Sequence, residues 1–209
     1  MKYRRFWVAI IPTIFFLYLI AFIYTVKRPE VAKIGDAGEY IREAENILEY
    51  KSAYCGDISE EVDFDLMTRR PPMYPVILSV SLLVFDDIQL ILLLQLFLTF
   101  LNGFIIFRIT GYYDLSSHWR LILTIICLLY PSQLIFTNIL MSEVVLQSFL
   151  LSAFYFILKY NDTRKISYLL FYDLCLVAAV FTKPIMLYFW IPNLLIHVWF
   201  YFRDRKKTI

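Results

Sequence analysis

"PPMYPVILSVSLLVF", Pro71 to Phe85, decides how the rest of the chain is threaded. It is apolar but short: as a helix it reaches about 22 Å, less than the ~30 Å hydrocarbon core of a bilayer. Either it crosses the membrane or it lies in the interface, and every later segment changes sides with the answer. Longer apolar runs surround it. "FWVAIIPTIFFLYLIAFIYTV", Phe6–Val26, reads as an uncleaved first span, because its apolar run exceeds a signal-peptide core and no small-x-small cleavage site follows. Pro12 is tolerable there if a neighbouring helix satisfies the freed carbonyl. Further spans are expected at Ile88–Phe107, Leu121–Phe136, Val144–Leu158, Ile166–Thr182 and Ile185–Phe202.

Charge decides the ambiguous segment. If Pro71–Phe85 does not span and the N-terminus is cytoplasmic, 12 of the 20 Lys and Arg fall inside, Lys206 and Lys207 among them. If it does span, only Lys2, Arg4, Arg5 and Lys183 stay inside, against 16 outside. The positive-inside rule prefers the first threading. The expected fold is therefore all-α and polytopic, with about six transmembrane helices and amphipathic juxtamembrane helices in the first external loop. It is one membrane domain: a first span over 1–26, an outer loop over 27–87, five further spans over 88–203 and a cytoplasmic tail over 204–209.

Composition agrees with a membrane class. Of 209 residues 60% are hydrophobic and 18% charged, and the mean hydropathy is +0.65; soluble domains carry about 25% charged residues. A net charge of +2 is too small to suggest nucleic acid as a partner. Cys55, Cys127 and Cys175 form no CxxC and no metal-ligand spacing. Glycine-rich phosphate loops and a Gly-x-Ser-x-Gly elbow are likewise missing from the sequence.

Polar chemistry concentrates on the expected outer face. The loop from Lys27 to Arg70 holds eleven acidic and seven basic residues. Within "GDAGEYIREAENILEY", Gly35–Tyr50, the residues Tyr40, Ala44, Ile47 and Leu48 mark one face of a helix, and the opposite face is acidic. Asp36 stands at the N-cap position, and Glu39 three residues on completes a capping-box pattern. A cap and a reactive carboxylate are compatible, since a capped start fixes the side chain in space. Arg69 and Arg70 precede two prolines that extend the chain. They suit lipid phosphates generally or a dedicated phosphate clamp, and Tyr74 suits the headgroup level. Glu143 opens the fourth span, where the helix dipole favours an acid. Lys183 ends the fifth, placed to snorkel to headgroups or to make a second phosphate contact. Inside the membrane, Asp173 and His197 lie at similar depths on antiparallel spans and are expected to pair as a structural polar contact.

The order of these features resembles the GT-C glycosyltransferases, in the bacterial branch with the aminoarabinose transferases, the Rgt-type transferases and relatives of the protein O-mannosyltransferases. The likeness is carried by one span, then Asp36, Tyr40 and Ala44 at four-residue steps, then Arg70-Pro71-Pro72 with Tyr74 and Pro75, then Pro131, Glu143 and Lys183-Pro184. It is a likeness to the N-terminal module of such enzymes, which usually carry further spans and often a soluble C-terminal domain. It implies a multi-pass protein of the plasma (bacterial inner) membrane and a polyprenyl-phosphate-linked sugar donor. The acceptor would be a hydroxyl on a lipid, glycan or protein, and a second membrane chain is the natural partner of a short module. In the implied assignment Asp36 is the base, with Glu39 as its substitute. Arg69, Arg70 and Lys183 contact phosphate, and Tyr74 and Glu143 contact donor or acceptor. No cofactor is implied; Asp36 and Glu39 are the pair that would take a divalent ion, which two carboxylates alone do not establish. The same motifs fit a non-catalytic subunit or truncated remnant that binds polyprenyl lipid. They fit a transporter less well, since transporters gather charge near the midplane.

Overall fold

The structure, a computed structural model, describes residues 2–67 and 69–205, with side chains described from Ile10 to Asp204 except at 68. The tail residues Lys206 and Lys207 lie outside the described residues. Every regular element among the described residues is helical: α1 Lys2–Lys27, α2 Ala37–Tyr50, α3 Phe64–Met67, α4 Met73–Phe85, α5 Gln89–Ile109, α6 Ser117–Leu129, α7 Pro131–Thr137, α8 Glu143–Thr163, α9 Ile166–Val180 and α10 Trp190–Arg205. Short 3-10 turns join several of them, including Pro184–Phe189 ahead of α10.

Four stretches are long and apolar enough to cross a membrane: Ile10–Lys27, Gln89–Tyr113, Glu143–Thr163 and Pro184–Asp204. The chain is thus a membrane protein by the length and apolarity of its helices. The outward faces agree. Phe16, Ile20, Phe97, Leu174 and Leu195 are exposed, as residues facing acyl chains should be.

The expected span Leu121–Phe136 is not one helix. It breaks into α6 and α7, bent by 59°, and counts as a fifth crossing only if the pair is taken together. The cause is Pro131, which lacks an N–H and pushes Tyr130 into extended backbone at φ −63°, ψ 125°. The break frees carbonyls at the end of α6, the end of α7 frees others, and a buried side chain from another helix meets each set. The Tyr18 hydroxyl on α1 donates to the Leu128 carbonyl at 2.6 Å. Gln95 on α5 donates its amide to the carbonyls of Phe136, Thr137 and Ile139, at 3.1, 3.2 and 2.8 Å. In a medium without water, freed carbonyls must be answered in this way.

α5 is the centre of the bundle. Its buried polar row, Gln95, Thr99 and Asn102, faces α7 and α8: Thr99 meets the Thr137 hydroxyl at 2.8 Å, and Asn102 donates to Gln147 at 3.1 Å. Among α8, α9 and α10, Ala153, Tyr160, Leu169, Tyr172 and Phe200 form a second core. Asp204 on α10 accepts from Tyr160 at 3.0 Å and from Arg164 at 2.7 Å, pinning that end of the helix. The expected Asp173–His197 pair is present at 2.9 Å, and the Asn193 side-chain amide donates a hydrogen bond to the same Asp173 oxygen at 3.3 Å.

α4, the helix of the deciding stretch, is shorter than a span. Its buried face, Tyr74, Leu78 and Ser81, packs on α2 and α5. Its other face leaves Leu83, Val84 and Phe85 exposed. α2 lies across it, with Ala37 and Ala44 fully buried so that the helices approach closely. Gly35, at φ +61°, makes the turn that admits α2, a conformation glycine adopts without penalty.

Candidate functional site

Four segments distant in sequence carry charge at the end of the bundle where α1 finishes and α5 and α8 begin. The first is the start of α2. Its helical spacing places Asp36, Glu39, Tyr40 and Glu43 on neighbouring turns of one side. The second is Arg69–Arg70. Diproline follows it, and α4 begins immediately after, so the arginines are delivered over α2 by a short stiff run. The third and fourth are Glu143, first residue of α8, and Lys183, just past α9.

Two backbone hydrogen bonds and one hydroxyl contact tie these segments together. Met73 N–H donates to the Phe181 carbonyl at 3.0 Å, joining the arginine segment to the Lys183 turn. Leu140 N–H donates to the Ala32 carbonyl at 2.9 Å, joining the approach to α8 with the approach to α2. The Tyr40 and Ser142 hydroxyls meet at 3.1 Å, one residue before Glu143.

Arg70 is the hub. Its Nη1 reaches Asp36 at 2.8 Å and its Nε reaches Glu39 at 2.5 Å. Arg69 approaches Glu39 from the exposed side at 3.6 Å. The Arg70 guanidinium also lies over the Tyr40 ring, 5.4 Å from its centroid. Tyr40 packs edge-on against Tyr74, with centroids 4.9 Å apart. A separate pair closes the other side, Lys183 Nζ to Glu143 at 2.6 Å, and the second carboxylate oxygen of Glu143 is buried with no protein partner.

Three expectations change. Asp36 does occupy the N-cap position, but it makes no side-chain cap hydrogen bond, and Glu39 closes no capping box. Both carboxylates turn to Arg70, because a charged, two-nitrogen partner outcompetes a single backbone N–H. Tyr74 does not lie at a headgroup surface: it is fully buried and donates to Gln95 at 2.6 Å. Its hydroxyl completes the same amide that answers the α7 carbonyls, so its place is in the support of the site. Finally, not every acid of α2 is solvated. Glu43 is 1% exposed, and neither of its oxygens has a protein partner.

Glu43 is the residue that sequence reading passed over. It lies three residues after Tyr40 and one before Ala44, on the face already marked as apolar, and that spacing was the available signal. Burial pushes its carboxyl up from 4.5 to about 7, and Arg70 draws it partly back. Cys55 belongs to the same neighbourhood. Its thiol donates to the Leu66 carbonyl, and burial with Glu39 and Glu43 nearby raises its pKa. The segment 52–67 covers α2, held by Asn46, whose amide donates to the carbonyls of Tyr54 and Gly56 at 2.6 and 3.0 Å.

Chemically, this end offers partly exposed carboxylates able to accept a proton and cations able to hold an anion. Among the described residues no group of three His, Cys, Asp or Glu is placed to hold a metal ion. Asp36 and Glu39, the pair considered for one, share Arg70 instead. No family model matches the chain, and neither a curated protein nor a solved structure matches it significantly.

Proposed function

We propose that the chain is a membrane glycosyltransferase module that moves a sugar from a polyprenyl-phosphate-linked donor to an acceptor hydroxyl. The observation that carries this reading is the meeting of Asp36, Glu39 and Arg70 at the same end of the bundle as Glu143 and Lys183. The charged residues behind the GT-C resemblance come from four parts of the sequence and lie at one end of the bundle.

In this mechanism the acceptor oxygen bonds to the anomeric carbon while the bond from that carbon to the phosphate oxygen breaks. The electron pair leaves with the lipid phosphate, where Arg69, Arg70 and Lys183 meet the growing negative charge. Asp36 accepts the proton of the acceptor hydroxyl. Glu143 orients sugar or acceptor, and the nearby carboxylates favour the oxocarbenium-like sugar.

The reading includes a topology. Six crossings are proposed, with the α6–α7 pair and α9 among them, both termini cytoplasmic, and α4 lying in the outer interface of the plasma membrane. The support is the charge count together with the 13-residue length of α4 and its exposed Leu83, Val84 and Phe85. The site would then face outward, where the acceptor, on a lipid, glycan or protein, would be met.

The test is sugar transfer from a polyprenyl-phosphate donor by the purified protein, alone and with the products of neighbouring genes, beside Asp36→Asn. Transfer that Asp36→Asn abolishes is expected. No transfer by the unaltered protein in any combination rejects the enzyme reading, and lipid binding without transfer would favour a non-catalytic subunit.

A further inference from the structure

The two chief cations of the site are occupied. Arg70 gives one nitrogen to Asp36 and another to Glu39, at 2.8 and 2.5 Å. A phosphate grips a guanidinium through two adjacent nitrogens, either Nε with Nη2 or Nη1 with Nη2. Each of those forks contains a nitrogen already engaged. Lys183 is likewise held by Glu143 at 2.6 Å. Asp36, Glu39 and Glu143 balance Arg69, Arg70 and Lys183, three charges against three.

We propose that Glu39 and Glu143 stand in for phosphate: they hold Arg70 and Lys183 while the site is empty, and a phosphate-bearing ligand displaces them. This rests on the phosphate-binding reading above, and it gives the two glutamates a role distinct from that of Asp36. A half-buried cation left unpaired would carry a desolvation cost. A carboxylate partner removes that cost and holds the cation in the geometry a phosphate needs. Exchange is then anion for anion, and it is feasible because the outgoing groups can reach water: the Glu39 and Glu143 side chains are 29% and 24% exposed. Glu143 keeps a favourable position after release, at the N-terminus of α8.

Binding tests the idea without any turnover. The purified full chain in detergent micelles is titrated with polyprenyl phosphate, with the matching polyprenol and with inorganic phosphate. Glu39→Gln and Glu143→Gln should each bind polyprenyl phosphate about tenfold tighter than the unaltered protein, the size of one competing charged hydrogen bond removed. Arg70→Gln should lose binding, and adding it to Glu39→Gln should cancel the gain. Glu39→Ala, with its melting curve, guards against a folding artefact, and should show the same gain. Unchanged or weaker binding by folded Glu39→Gln and Glu143→Gln overturns the proposal. Equal binding of polyprenol and polyprenyl phosphate overturns the phosphate reading itself. Gains seen with inorganic phosphate as well as with the lipid locate the exchange at the phosphate group. Binding gains without sugar transfer would leave this proposal standing and reject only the enzyme reading.

Discussion

Replacing Glu43 by glutamine should remove most of the pH dependence of stability above pH 5. Glu43 is buried with both oxygens unpartnered, and its pKa rises from 4.5 to about 7 on folding. A folded pKa above the unfolded one means that the folded protein binds the proton more tightly. The associated stability is fully present below pH 4.5, falls as pH rises towards 7, and is gone above it. The interval corresponds to about 3 kcal/mol at most, because each pH unit is worth about 1.4 kcal/mol. Glutamine has the same shape and never ionises. Its buried amide N–H groups add a cost of their own, about 1–3 kcal/mol if unpaired, but that cost does not vary with pH. The slope is therefore the diagnostic quantity. The assay is the unfolding midpoint of the purified protein in mild detergent, measured from pH 4.5 to 8 for both forms. The unaltered protein should lose stability across the range while Glu43→Gln stays flat relative to it. Parallel curves would show that Glu43 does not hold its proton into the neutral range, and the argument from burial would fail.

Other outcomes follow from named contacts. Gln95→Leu should destabilise by about 2 kcal/mol, since it strips the partner from the Tyr74 hydroxyl and from three carbonyls around the end of α7; unfolding in detergent measures it. Asp173→Ala and His197→Ala should be non-additive by about 1 kcal/mol, because each removes the same 2.9 Å contact; strictly additive losses would dismiss the pair. A reporter fused at Asp86–Asp87 should appear outside the membrane, and an inside result would reverse the proposed orientation.

Much of the helical plan was legible in apolar run length, which needs no partner to be read. Runs near Phe6–Val26, Ile88–Phe107 and Val144–Leu158 all became long helices. The Asp173–His197 contact was legible too, because two polar groups at one depth in an apolar medium have few other partners. The fate of Pro131 was less so. A proline can kink a span or end it, and here Tyr18 of α1 answers a carbonyl at the break while Gln95 of α5 answers those at the far end of α7. Gln95 itself looked like one more residue of an apolar run.

The candidate site divides in the same way. Sequence by itself determined the membrane class, the helical spacing of α2 and the presence of charge in four separate segments. Those follow from local periodicity and composition. Only the tertiary structure decided which charge meets which. Arg70 reaches Asp36 and Glu39 across more than thirty residues, and Lys183 reaches Glu143 across 40. It also decided that Glu43 is buried. Whether a carboxylate on an amphipathic helix sees water depends on what lies over it, and what lies near Glu43, Arg70 and the segment around Cys55, comes from elsewhere in the chain.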